Sequence, residues 1–423
     1  MGKHSKSKPD DSDKKNPKLN ENFKRNPNGL IVWVICSIGI FVVLLSSVSI
    51  VFPGLIISIV DVNLFGEPFE IGTMGIPFII INIIVFSLIF LHLKKRLPEI
   101  FTIISEKIFS FDLSKRNSFV ILGIILTIYI AISANELSIN EVEQYGDYLV
   151  LERAINVWPE QEAENKYLAE QLDRHVRMAL LVASEEVFHN IKVIPYLASI
   201  FLLITTYFLT VKLSDRNFTG LVAVILILQS STFYIYDTIA VYENFWVLFY
   251  VFSIYLIFKK PKFSSIFFIL SIFSKAIFVL WLPISILVTL LSDIPKNKKI
   301  FVITTHIVVI IISLIIFQYS DAVYGNVIDI EVSEFWIGFT TLASNLRFDI
   351  VLLLLLLPVS AGLFLKARNG SKNSISLIVL ISGTILVTPI LEMITDYYFV
   401  YPYRYVPLVV FFAIGLSTLF SKK

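Results

Sequence analysis

Apolar stretches recur along the chain at about 31 to 60, 73 to 93, 118 to 134, 193 to 211, 218 to 235, 243 to 258, 263 to 292, 300 to 317, 348 to 365, 375 to 391 and 405 to 420. A helix rises about 1.5 Å per residue, so a hydrocarbon core of about 30 Å takes roughly 20 apolar residues, close to the length of most of these runs. The run at 263 to 292 is long enough for two short helices, with Lys275 at its middle and Pro283 as a breaker. The pattern predicts an all-α, polytopic transmembrane bundle of eleven or twelve spans.

One long polar segment interrupts the series. Residues 135–192 carry twelve carboxylates against five basic residues, between two apolar runs. Within it, Tyr148, Leu151, Ile155 and Trp158 fall on one helical face, and Leu168, Leu172, Val176 and Ala179 on another, with charged positions opposite. Both stretches read as amphipathic helices lying along the membrane surface and roofing a cavity. The alternative is an acidic loop that only faces water.

Composition agrees with this class, at 56% hydrophobic residues and a mean hydropathy of +0.79. The single cysteine, Cys36, lies inside the first span, which leaves no disulfide framework and no thiolate metal site. Residues 1–29 are a solvated, disordered tail by composition. Residues 30–117 read as an N-terminal transmembrane hairpin with a basic linker, and 118–423 as a continuous block in which function should reside. Placing the tail, the linker, the short basic loops and the C-terminus in the cytoplasm collects 27 of the 35 basic residues there. With twelve spans both termini are then cytoplasmic, and 135–192, Asp237, Glu243, Lys275, Arg347, Asp396 and Arg404 share the outer side. The expected location is a cell membrane in a prokaryote or the endoplasmic reticulum in a eukaryote.

Four short motifs then fall in order on that side. Ile139-Asn140-Glu141-Val142-Glu143-Gln144-Tyr145 opens the loop, and Tyr236-Asp237-Thr238 leads through Tyr242 to Glu243-Asn244. Phe273-Ser274-Lys275 has Pro283 beyond it, and Tyr403-Arg404-Tyr405-Val406-Pro407 begins the last span. Together they resemble the GT-C superfamily of membrane glycosyltransferases, which includes dolichyl-phosphate-mannose protein mannosyltransferases and aminoarabinose transferases. Asn140 stands where that pattern has Asp, and Thr238 where it commonly has Arg. The resemblance implies a sugar donor linked to a polyprenyl phosphate, a protein, lipid or glycan acceptor, and work on the outer face of the membrane. Some members use magnesium or manganese and others do not; the acids here suit either case.

The chemistry assigns roles to residue types. Inverting transfer needs a base for the acceptor's proton and a cradle for the leaving phosphate. The acidic cluster Glu141, Glu143 and Asp147 supplies candidates for the base, ranked in that order. Lys275 and Arg404 are candidates for the phosphate, with Glu243 and Asp237 as further substrate-binding residues. The plainer roles are interfacial charges for Lys275 and Arg404 and a helix cap for Glu243. The chain has no P-loop and no dinucleotide fingerprint, and nothing in it calls for nucleic acid. The rival functions are a transporter or lipid-linked-sugar flippase, which would place ionisable residues near helix centres, and a noncatalytic membrane scaffold.

Overall fold

A computed structural model describes residues 27–60, 67–142, 145–160, 165–172, 174–319, 330–395 and 401–421. Most of the expected tail, together with Glu143 and Asp396, lies outside the described residues. Helix α1 (Pro27–Val51) already begins within the segment assigned to that tail.

After α1 come α2 (Pro53–Ile57), α3 (Gly75–Leu93), α4 (Glu99–Ser110) in the basic linker, and α5 (Lys115–Ser133). The polar segment holds α6 (Tyr148–Val157), α7 (Lys166–Leu172) and α8 (His175–Phe188). Then follow α9 (Val193–Ser214), α10 (Asn217–Leu228), α11 (Ser231–Ile235), α12 (Phe245–Lys259), α13 (Ser264–Ser274), α14 (Leu282–Leu291) and α15 (Lys296–Tyr319). The chain ends with α16 (Val332–Leu346), α17 (Ile350–Arg368), α18 (Lys372–Ile394) and α19 (Val406–Leu419). Every apolar run of the sequence forms helix, and no strand occurs among the described residues. Eight helices are long and apolar enough to cross a membrane, and four more apolar helices are shorter: Asn217–Leu228, Phe245–Lys259, Pro261–Ser274 and Ala276–Leu291.

The run at 263 to 292 breaks as its length implied, but the break is at Lys275. That residue is extended (φ −157°, ψ 109°), and a 3₁₀ segment, Ala276–Trp281, joins it to α14. Pro283 sits in the first turn of α14, where a proline costs no hydrogen bond, so it starts a helix instead of breaking one. α13 therefore runs back along α12 and delivers Lys275 beside Trp246 in the first turn of α12.

Helix α16 has no counterpart among the predicted runs, because its apolar residues are interrupted by Gly338, Thr340, Thr341 and Ser344. Gly338, Phe339, Leu342 and Leu346 form its buried stripe against α18. A Cβ at Gly338 would lie 2.5 Å from Cα of Pro389, so only glycine permits this crossing. Helix α1 packs on α16, α17 and α18, so the N-terminal hairpin shares the core of the later block.

The second amphipathic stretch is two helices, since α7 stops at Leu172 and α8 starts at His175. The buried side of α8 is Arg177, Met178, Leu181 and Ser184, whereas Ala179 is exposed. The first stretch holds as α6, with Leu151 and Ala154 fully buried.

Opposite ends of the bundle are tied differently. At one end Arg216 donates to the carbonyls of Phe111 and Phe420, Lys366 to those of Thr418 (3.0 Å) and Ser421 (2.7 Å), and Lys372 pairs with Asp293 at 2.6 Å. At the other end lie the polar segment and the residues singled out above.

Candidate active site at one end of the bundle

The loop between α11 and α12 is the centre of this end. Every residue from Tyr236 to Asn244 is buried, which is unusual for a loop because its backbone groups must then find partners inside the protein. Side chains from four directions supply them. Glu141 accepts from the N–H groups of Ala240 (2.8 Å) and Val241 (3.2 Å). Arg177 of α8 donates to the carbonyls of Val241 (2.8 Å) and Ala240 (3.4 Å). Ser199 of α9 donates to the carbonyl of Asp237 at 2.7 Å, and the Asn244 amide returns to that of Tyr236 at 3.2 Å.

Arg177 also forms a buried ion pair with Glu243 (Nε to Oε2, 2.9 Å; 1% and 3% exposed), and its remaining arm reaches Gln171 of α7. Helices α7 and α8 and the loop are thus one hydrogen-bonded unit. Arg177 was not singled out from the sequence; the available signal was an arginine four positions before Leu181 on the face of α8 that is otherwise apolar. Glu141 is 1% exposed and lies 3.8 Å from Lys192. Burial raises its pKa above the ordinary carboxylate value, while the two N–H donors and Lys192 work against that rise. Burial likewise lowers the pKa of Lys192, which Glu141 and Glu136 oppose.

Asp237 occupies a second buried position, with Oδ2 accepting from Tyr129 (2.7 Å) and Ser133 (3.2 Å) of α5. Its Oδ1 has no hydrogen-bond partner among the described residues. Burial, with Glu136 nearby, pushes its pKa up to about 7. Thr238, at the position where the resembling motif has Arg, donates to Glu136 at 3.1 Å.

Lys275 and Arg404 come together although 129 positions separate them. Lys275 Nζ lies 2.9 Å and Arg404 Nε 3.3 Å from the same atom, the hydroxyl oxygen of Tyr403. Lys275 also stands over the Trp246 ring at 5.2 Å, and that indole donates to the Glu243 carbonyl at 3.0 Å. Tyr403 stacks on Tyr242 (centroids 4.5 Å, 16° between planes), and Tyr145, Tyr236 and Tyr401 close around that pair. The Tyr242 hydroxyl donates to Asp147 at 3.2 Å. Asp147 is exposed at the start of α6.

The predicted site residues thus separate into two groups. Asp147, Lys275 and Arg404 surround the tyrosine cluster with side chains that are exposed or half-buried, whereas Glu141, Asp237 and Glu243 are enclosed in the loop's support. Two cavities adjoin the region. One of about 330 Å³ is walled by Glu141, Tyr148, Glu152, Glu185 and Lys192. Another of about 560 Å³ lies between Pro53, the polar side of α16 with Arg347, and Pro402. Among the described residues no three His, Cys, Asp or Glu side chains are grouped so as to hold a metal ion. No family model, no curated protein and no solved structure matches the chain.

Proposed function

We propose that the chain is a membrane glycosyltransferase that moves a sugar from a polyprenyl-phosphate donor to an acceptor at the outer face of the membrane. The observation that carries the reading is the convergence of Lys275 and Arg404 on one oxygen, beside a carboxylate linked through the Tyr242–Tyr403 stack. Two cations held at hydrogen-bonding distance from a common point are suited to the spread charge of a phosphate. In this reading eight long and four short apolar helices make twelve crossings, with α13 and α14 joined at the outer surface by Lys275. The helices of the polar segment roof the site.

Asp147 is the acid best placed to act as base, because it is exposed and its described contact is a hydroxyl. It would take the proton of the acceptor hydroxyl as that oxygen attacks the anomeric carbon. The bond from that carbon to the phosphate oxygen breaks, and the lipid phosphate leaves against Lys275 and Arg404. Glu141 has another task in this scheme. Both its oxygens are committed to the loop backbone, so it positions Tyr242 and Glu243 and does not meet the acceptor. Glu152 and Glu185 on the walls of the 330 Å³ cavity favour an acceptor that is neutral or basic where it enters.

The test is transfer of radiolabelled sugar by purified protein from a panel of polyprenyl-phosphate sugars to a membrane extract, with mass spectrometry of the product. A labelled product lost in Arg404→Ala supports the reading. Failure of every donor, with movement of lipid-linked sugar across vesicles instead, replaces it with the flippase.

A further inference from the structure

Tyr403 Oη is where Lys275 and Arg404 meet, and this raises the question of what a phenol is doing there. Two cations partly withdrawn from water need acceptors, and a cation left without one pays a large desolvation cost. The phenol oxygen, 2.9 Å from Lys275 Nζ and 3.3 Å from Arg404 Nε, is a shared acceptor for both. Its position is not adjustable by small torsions, because the Tyr403 ring is buried and stacked face to face on Tyr242 at 4.5 Å, with Tyr236 at its edge. A phenol offers the two cations one oxygen, whereas a phosphate offers several and can take paired hydrogen bonds from a guanidinium.

We propose that Tyr403 is an internal place-holder for the donor's phosphate: its hydroxyl oxygen and an incoming phosphate monoester compete for the same donors on Lys275 and Arg404. This rests on the phosphate cradle proposed above and adds a regulatory residue to it. The competition holds the two cations in the geometry that a phosphate needs. It also sets a threshold, so that an anion weaker than a phosphate does not displace the phenol. No bond is made or broken and no proton need leave Tyr403; the two N–H donors exchange one oxygen for another.

Tyr403→Phe removes the competing oxygen and keeps the ring and its stack. Binding of farnesyl phosphate in mixed micelles, with farnesol as the control, should tighten about tenfold in this variant, the net gain when the two donors exchange water instead of the phenol oxygen for phosphate. Saturating the wild type with farnesyl phosphate should also perturb the tyrosine ultraviolet difference spectrum, and that signal should vanish in Tyr403→Phe. Unchanged or weaker binding by a variant that unfolds at the wild-type temperature overturns the place-holder. If the variant unfolds early, the wild-type spectrum decides, and saturation without a tyrosine signal overturns it. Lys275→Met and Arg404→Ala separate the two proposals. If neither weakens farnesyl phosphate binding, the cradle itself is wrong; if both weaken it about tenfold or more while Tyr403→Phe fails to tighten it, only the place-holder is. Inorganic phosphate binding as tightly as farnesyl phosphate would assign the site to free phosphate, which overturns the lipid source.

Discussion

Glu141 and Arg177 hold the same dipeptide from opposite sides: the carboxylate takes the N–H groups of Ala240 and Val241, and the guanidinium takes their carbonyls. Both side chains are 1% exposed, and they come from segments far apart in the chain. A buried loop without regular structure is stable only if its polar backbone is answered in this way. The loop carries Tyr242 and Glu243, so whatever the site does depends on this grip.

Loss of Arg177 should therefore be severe. Arg177→Met leaves Glu243 buried without its cation and frees two carbonyls, a change worth about 3–5 kcal/mol by the usual cost of breaking one side of a buried pair. Thermal unfolding in detergent should show a large drop, and Glu243→Gln should recover part of it in the double variant, because the stranded charge is then gone. A drop in Arg177→Met no greater than that of an exposed control such as Arg153→Met would mean the loop holds itself.

Asp237 sets a pH dependence with a definite sign. Its folded pKa is raised to about 7 from an ordinary 3.8, so between those values the folded protein keeps a proton that the unfolded chain has released. The stability it contributes is fully present below about pH 4 and is lost as pH rises through about 7. At 1.36 kcal/mol for each pH unit the full difference is roughly 4 kcal/mol. Asp237→Asn, which cannot ionise, should unfold at a higher temperature than the wild type at pH 8, and the gap should shrink towards pH 5. A gap that stays constant over this range would remove Asp237 as its source.

The helices were legible because apolar run length is a strong signal, and Lys275 marked the joint in 263 to 292 for the same reason: a cation inside an apolar run needs an end to sit at. Pro283 misled, since proline breaks a helix interior but starts a helix equally well, and the sequence does not say which. Helix α16 was hidden because its buried stripe relies on Gly338, whose value lies in the approach of Pro389 across the interface. In the site, the charges were identifiable by type but not their commitments. Nothing in the neighbourhood of Glu141 in sequence tells that both oxygens are used by residues a hundred positions later, or that Arg177 answers Glu243.

The inside–outside assignment makes its own claim. Glu152 is exposed at the end that holds the site, and Lys260 is exposed at the opposite end, between α12 and α13. With buried Cys36 as the only native thiol, single cysteines at these two positions can be labelled in intact cells by an impermeant maleimide. Glu152→Cys should react and Lys260→Cys should not until the membrane is permeabilised. The reverse pattern would put the site in the cytoplasm, where a nucleotide sugar would be an accessible donor and the need for a lipid-linked one would disappear.

The division of labour among the acids gives the last prediction. A general base contributes about a hundredfold to ten-thousandfold to the chemical step. If Asp147 is that base, Asp147→Asn should lose this much in single-turnover sugar transfer. Donor affinity and unfolding temperature should barely move, since the side chain is exposed and gives up little beyond one hydrogen bond from Tyr242. Glu141→Gln should behave differently: one of the two acceptor oxygens becomes an NH₂ group facing a backbone N–H, so the loop loses part of its grip. Activity and unfolding temperature should then fall together, and donor binding should weaken with them because Tyr242 supports Tyr403. Glu143, next to this pair in sequence, is tested in parallel as Glu143→Gln. A Glu141→Gln protein with normal stability and a thousandfold slower chemical step would return Glu141 to the role of base and require the loop to release it during turnover. Retention of more than a tenth of the activity in all three variants would place the proton acceptor outside this cluster.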